Sequence, residues 1–470
     1  VVYAFYLSPL KDLPGPWQGK LTAFYSKSFI SKGQYHTFLE DLHDHYGPVV
    51  HFSPNRVSFA TKKAADTIYS TYKFKKTPFY LSFKYGGITI FSTSDRDLHA
   101  SRKKIHMGTL NKENLKKLEP TMVKMGFVPM DKKLKEISLQ DGVCDVYKLI
   151  HQVLFNINGQ LIISEDFDLL NKENLPVLDW LKSTLAYGVL QFEFPYIPLV
   201  PGNRYGKEDY VNFLKYVRGK ILARKSIFAE ADKKGEKRPE FNDILQLFLD
   251  TKDEITGEEF SIENLQAETV TGFIAGTDTT ANTVIWTLKL LLDNPDKLAK
   301  LVKEIDDAFG LNEEYTSETV RQKVPYLEAV INEAMRLHPV SSGSLPRLVP
   351  KGGAVIEGYH IPEDTEVGIG IYAYHRSGEV WENSKEFIPE RFLGEEGTKR
   401  KANFLPFLTG PRSCVGRDFA WMAMFHIFTT IFRKYTISYQ DKKAPITPHY
   451  FLVLKPEEST MLINVKARTS

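Results

Sequence analysis

One of the two cysteines, Cys414, lies in the stretch Phe407-Leu-Thr-Gly410-Pro-Arg412-Ser-Cys414-Val-Gly416, which constrains the fold more than any other. Its glycines bound a turn, and the apolar run from Phe419 to Phe432 that follows reads as a buried helix. The thiol therefore stands at a helix N-terminus, where backbone N–H groups and the helix dipole favour negative charge. Lacking Cβ atoms, Gly410 and Gly416 let the backbone pass close to something large and flat. Arg412 sets a permanent cation two residues before the sulfur, suited to a carboxylate. Together these fit a haem iron with a propionate partner. The cysteine by itself also fits an ordinary core thiol, since free Cys is among the most buried residue types.

Three further segments bear on this choice. Ser261 to Asn294 reads as a helix of unusual length and contains Ala275-Gly276-Thr277-Asp278-Thr279-Thr280. Gly272 and Gly276 in its interior each cost about 1 kcal/mol against alanine, so their presence calls for close approach or a groove. Thr279 can bond the carbonyl of Ala275, bending the helix and placing a hydroxyl beside the Asp278 carboxylate, although a plain core helix with a packing glycine also accounts for the pattern. The second segment, Pro325 to Pro339, carries an apolar stripe of Leu327, Val330, Ile331, Ala334 and Leu337. Glu333 and Arg336 lie off that stripe and can pair, an interaction contributing about 0.2–0.5 kcal/mol when solvated. The third comprises Leu345-Pro346-Arg347 and the basic stretch Asp95 to Lys104 with His99, Arg102 and Lys103, which by itself also reads as a solvated helix face.

The cysteine stretch is similar at every fixed position to the cysteine loop of the cytochrome P-450 superfamily, and the resemblance runs from about Leu13 to the C-terminus. It implies a haem-thiolate monooxygenase containing haem b, with Cys414 as the proximal iron ligand, Arg412 on a propionate, Phe407 packed near the sulfur, and Gly416 also at the cofactor. Ala275, Asp278 and Thr279 resemble the oxygen-activation motif, with Asp278 and Thr279 delivering protons. Glu333, Arg336 and Arg391, the last in Phe387-Ile-Pro389-Glu390-Arg391-Phe392, resemble the family's three-member structural network. Arg347, His99 and either Arg102 or Lys103 are the further propionate candidates. Four positions after His99 the family has arginine, and here stands Lys103, which offers charge but no bidentate fork.

By the same resemblance the pocket includes Phe79, Phe83, Ile88, Phe192, Phe194, Thr271, Gly343 and Phe451, an aromatic and aliphatic set that implies a hydrophobic substrate. O2 and NADPH are then cosubstrates. Nothing in the chain resembles a flavin or ferredoxin domain, so electrons come from NADPH-cytochrome P-450 reductase, with cytochrome b5 as a further donor. Lys103, Lys104, Lys112, Lys116, Lys117 and Arg417 offer a docking face, or an ordinary lysine surface. Ser341 to Arg347 and Gly352-Gly353 look most like fungal microsomal members. A haem-thiolate peroxygenase or isomerase acting without a reductase is the alternative, which the intact Asp278-Thr279 pair opposes; a non-catalytic scaffold fits composition but not four spaced motifs.

The remaining features agree. A net charge of +3 without a basic, aromatic-interleaved stripe gives no sign of nucleic acid. Two cysteines in 470 residues fit a reducing compartment. No linker interrupts the chain, so residues 17–470 are expected to form one catalytic domain, mainly α with a smaller β portion. Residues 1–16 are expected to be the hinge of a truncated anchor on the endoplasmic reticulum membrane with the domain facing the cytosol; Val1 to Leu7 alternatively reads as an apolar first strand. The proline-broken run Phe192 to Pro201 suits a membrane-dipping substrate entrance or a buried connector.

Overall fold

The computed structural model describes residues 1–172, 176–196 and 206–468. Helices dominate, with small sheets beside them. The helix expected from Ser261 runs Ile262–Asp293, and those expected around Pro325 and Gly416 run Pro325–Leu337 and Arg417–Lys434. The segment Tyr3–Leu7 forms a single π-helical turn rather than a first strand. Among the described residues no helix is long and apolar enough to cross a membrane.

The chain divides into two compact units, and the division falls within the long helix. The first unit gathers Val1–Phe79, Asn282–Cys414 and Asp441–Met461; the second gathers Tyr80–Ala281, Val415–Gln440 and Leu462–Ser470. Each is assembled from separated stretches, which is why no linker marks the division in the sequence.

In the first unit a five-stranded sheet is ordered Val49–Ser53, Arg56–Phe59, Glu366–Ile369, Arg347–Leu348, Lys75–Lys76. Its one parallel pairing sets Arg56 opposite Glu366. Val57, Phe59, Val367 and Ile369 turn into a core shared with Ala64, Ile68 and Tyr374. The second unit contains the helix Val146–Ile163, buried along nearly its whole length, and a three-stranded antiparallel sheet in which Cys144 pairs with Ile463. Cys144 is buried and Cys414 is exposed.

Glu333 and Arg336 are both 0% exposed, so their pair is a core ion pair and not a solvated one. Nε and Nη2 of Arg336 donate to the two carboxylate oxygens at 2.7 and 2.8 Å. Nη1 donates to the carbonyls of His375 and Ser384, and Nη2 also to that of Glu386. All five guanidinium hydrogens are thereby used. Arg391 Nε reaches Glu333 Oε1 at 3.0 Å, and its other nitrogens take the Glu382 and Asn383 carbonyls. The two arginines thus satisfy an irregular segment that has no secondary structure to pair its own backbone.

The same unit buries several neutral histidines. His43 bonds Gly47 O through Nδ1 and Ser58 Oγ through Nε2. His375 Nε2 accepts the Leu405 N–H at 3.0 Å. His36 stands edge-on to Tyr372. Burial pulls His36 and His43 down to about 4 and His375 to about 3.

Two outcomes follow from this arrangement. Arg336→Lys removes the fork across both oxygens of Glu333 and leaves carbonyls unbonded, because an ammonium has three donors and no fork, and should cost about 3 kcal/mol or more, read as a lowered urea midpoint. The buried histidines bind protons more readily unfolded, near their ordinary 6.5, than folded. Their contribution is therefore complete above pH 6.5 and is lost as pH falls toward 4 and then 3. Unfolding midpoints should drop across that window, and His36→Phe, whose ring nitrogens have no hydrogen-bond partners to lose, should flatten part of the drop.

Candidate active site

The cysteine loop is held by its own backbone. Cys414 N donates to Phe407 O at 2.9 Å and Ser413 N to Gly410 O at 3.1 Å. Leu408 and Gly410 close the turn with φ of 59° and 73°. A Cβ on Gly410 would stand 2.2 Å from the carbonyl oxygen of Tyr69, so this glycine is required by the chain's own Tyr69–Ser70 backbone, where the sequence suggested room for a flat group. Gly416 has φ of −86°, open to any residue, and caps the helix that follows. The Cys414 thiol is exposed, while Phe407 and Arg412 are half-buried.

Two arginines converge near this loop. The Arg412 guanidinium lies over the Tyr72 ring at 5.0 Å, and that of Arg347 over Tyr69 at 5.1 Å. Arg347 is nearly fully buried and donates to the carbonyls of Leu345 and Pro346. Of the expected pocket residues in this unit, Phe79 and Phe451 are half-buried. Gly343 is covered by Tyr450, whose ring a Cβ there would meet at 2.7 Å.

In the second unit the long helix carries Thr279 Oγ1 donating to Ala275 O at 2.6 Å, the back-bond expected from the sequence. Ala275 is exposed midway along the helix and Thr279 is half-buried, whereas Asp278 is only 2% exposed. The interior glycines serve close packing against the helix Val146–Ile163. A Cβ on Gly276 would lie 2.6 Å from Asn158 Oδ1, and one on Gly272 3.1 Å from Ile162 Cδ1. Asn158 Nδ2 donates to Thr277 Oγ1 at 3.0 Å, and His151 Nε2 lies 3.2 Å from Asp278 Oδ1. His151 and Asn158 went unnoticed in the sequence, although their spacing of seven places them on one helix face.

Arg102 requires a correction. Fully buried, it pairs through Nη2 with Asp253 at 3.0 Å and faces Glu268, while its guanidinium stacks 4.1 Å from the Phe260 ring. Glu268 also meets His106 Nε2 at 3.0 Å and accepts the Ile90 N–H. With its charge taken up this way, Arg102 is a structural cation of the second unit rather than a propionate ligand. His99 is buried on the same helix, and Lys103 is half-buried beside it. Phe83 is a core residue, 0% exposed, with its ring under Gly188. Thr271 is buried, Phe192 and Phe194 are half-buried and Ile88 is exposed. The part of the proline-broken run from 197 to 201 lies outside the described residues.

The donor set suits a haem. An exposed thiol in a loop held by its own backbone bonds, with two arginines nearby, supplies a single soft ligand and partners for carboxylates. Among the described residues no group of three or more His, Cys, Asp or Glu could hold a metal by itself.

The comparisons agree. The family model described as Cytochrome P450 matches residues 14–463. The chain is 30% identical over 443 residues to cytochrome P450 monooxygenase acrD of Aspergillus aculeatus, covering 92% of this chain and 86% of that protein. It is 28% identical over 444 residues to cytochrome P450 monooxygenase helB3 of Aspergillus fumigatus, with 93% and 86% covered. In fold it is similar to the crystal structure of the cytochrome P450DA heme domain, at a TM-score of 0.82 and 20% identity over 97% of this chain and 98% of that one. A match over almost the whole chain, with fungal monooxygenases as relatives, leaves one conclusion: the chain belongs to the cytochrome P450 family and is a monooxygenase of the fungal type.

Proposed function

We propose that this monooxygenase inserts one oxygen atom from O2 into a carbon–hydrogen bond of a hydrophobic organic substrate, drawing electrons from NADPH through a separate reductase. The observation that carries this reading is the contrast between the cysteines. Burial, reinforced by Asp145, pushes the Cys144 thiol up to about 12, so it stays protonated. Cys414, by contrast, is exposed in its loop just before the helix Arg417–Lys434, and it is the cysteine placed to hold the haem. When bound, that group supplies the reduction and cleavage of O2, and its thiolate ligand favours the cleavage.

The chain's own residues do the rest. Arg412 and Arg347 offer cations to the propionates and fix how the group is seated. Thr279 presents a hydroxyl that donates to Ala275 O, and the neighbouring Asp278 is the acid that supplies protons. The half-buried aromatic rings of Phe79, Phe192, Phe194 and Phe451 support a hydrophobic substrate. The exposed Lys104, Lys112, Lys116 and Lys117 support docking of an acidic reductase, and Lys104 and Lys117 also pair with Glu254 and Glu113. The exposed Val1, Tyr3, Tyr6, Leu7 and Trp17 support association of the N-terminal segment with the endoplasmic reticulum membrane.

Reduced, carbon-monoxide-treated protein should show the red-shifted band of thiolate-ligated haem, and Cys414→Ala should lose it while Cys144→Ala keeps it. Thr279→Ala should bind substrate normally yet divert consumed oxygen to peroxide. Turnover with peroxide, and none with NADPH plus reductase, would instead assign the peroxide-dependent chemistry.

A further inference from the structure

The contact between His151 and Asp278 carries a consequence for protons. His151 Nδ1 lies 2.8 Å from the carbonyl oxygen of Tyr147, one turn back on its own helix. A carbonyl only accepts, so Nδ1 carries a hydrogen. Nε2 lies 3.2 Å from Asp278 Oδ1, and both residues are buried, at 1% and 2% exposure. A neutral imidazole with its hydrogen on Nδ1 would point a lone pair at a carboxylate oxygen, two acceptors facing each other away from water. Such an arrangement is costly. The pair therefore contains one more proton, as imidazolium with carboxylate or as neutral imidazole with carboxylic acid.

The surroundings fix this geometry. The His151 ring is stacked on Tyr147 at 4.1 Å, and the Lys182 ammonium lies 5.1 Å over the outer part of that stack, on the Tyr147 ring. One turn pair further on, Asn158 bonds Thr277 and fills the space above Gly276. The two helices are thus locked in register on both sides of the Asp278 contact, and the carboxyl has one place to be.

We propose that His151 is the positioning residue of the proton-delivering acid: it holds the Asp278 carboxyl in one orientation and keeps a shared proton on the pair. The inference rests on Asp278 being that acid. Each proton surrendered at Asp278 leaves a neutral imidazole and a carboxylate, and one proton taken up from solvent restores the pair; no electron moves and no covalent bond to a heavy atom is made.

Two measurements on the holoenzyme test this. In the diamagnetic ferrous–carbonyl state with nitrogen-15 histidine, the resonances lost in His151→Gln should show a hydrogen on Nδ1, with Nε2 either protonated or accepting from an acid. A neutral ring with its hydrogen on Nε2 and a bare Nδ1 would overturn the proposal. Should His151→Gln fail to retain haem, Asp278→Asn identifies the same resonances by shifting them. The second measurement is NADPH oxidation with added reductase and one hydrophobic compound chosen because it shifts the haem to high spin. His151→Gln, which can bond Asp278 but cannot hold the extra proton, should slow turnover about tenfold and enlarge the solvent deuterium isotope effect, with binding of the compound unchanged. If Asp278→Asn shows that loss and His151→Gln matches wild type in rate and isotope effect, the role of His151 is refuted and the acid stands. If Asp278→Asn itself matches wild type, the proton-delivery reading fails.

Discussion

A carboxylate with no access to water, Glu333, is what the cysteine side of the first unit depends on. Its two oxygens are spanned by Arg336, shared with Arg391, and bonded by the Ile388 N–H. The arginines pass this order outward, to the carbonyls of His375, Glu382, Asn383, Ser384 and Glu386. From His375 the chain of contacts continues: its ring nitrogen accepts the Leu405 N–H, two residues before Phe407 opens the cysteine loop. Because burial keeps that imidazole neutral, it remains an acceptor at ordinary pH. The position of the thiol is thus tied, by hydrogen bonds of fixed direction, to an ion pair on a helix some eighty residues earlier in the chain.

The second unit solves a related problem by different means. Val146–Ile163 and the long helix are both apolar over most of their surface, and two such helices could slide or rotate with little penalty. Gly272 and Gly276 let them meet closely, and close contact makes the few polar groups at the seam decisive. Asn158 with Thr277, and His151 with Asp278, allow one register only, because a shift of one residue strands four buried polar groups. The acid is held in place by the same contacts that align the helices.

Much of this was legible in the sequence, and the losses have physical reasons. The long helix, the stripe on Pro325–Leu337 and the cysteine turn all announce themselves through periodicity, proline and glycine within a short window. Burial of the Glu333 pair does not, because a stripe reports only the face that meets the core and is silent on an irregular segment folding over the other face. His151 was missed for a similar cause: a helix apolar all round has no period to read, and its partner lies 127 residues away. Arg102 was misassigned because its local pattern matches a family motif while its acid partner, Asp253, lies 151 residues on. The closeness of Gly410 to the Tyr69 carbonyl could not be read either, since Tyr69 lies far from it in the sequence.

These cases share an asymmetry. A buried ion pair or amide contributes little net stability once its desolvation is counted, yet removing or misplacing one partner costs several kcal/mol. Groups of that kind are poor at holding a fold together and good at excluding its near relatives. Glu333 and Arg336 act this way on the loop of Cys414, and the His151 and Asn158 seam acts this way on Asp278. In both units a polar side chain is placed by buried polar contacts, while the apolar core beneath supplies the stability that makes such contacts tolerable.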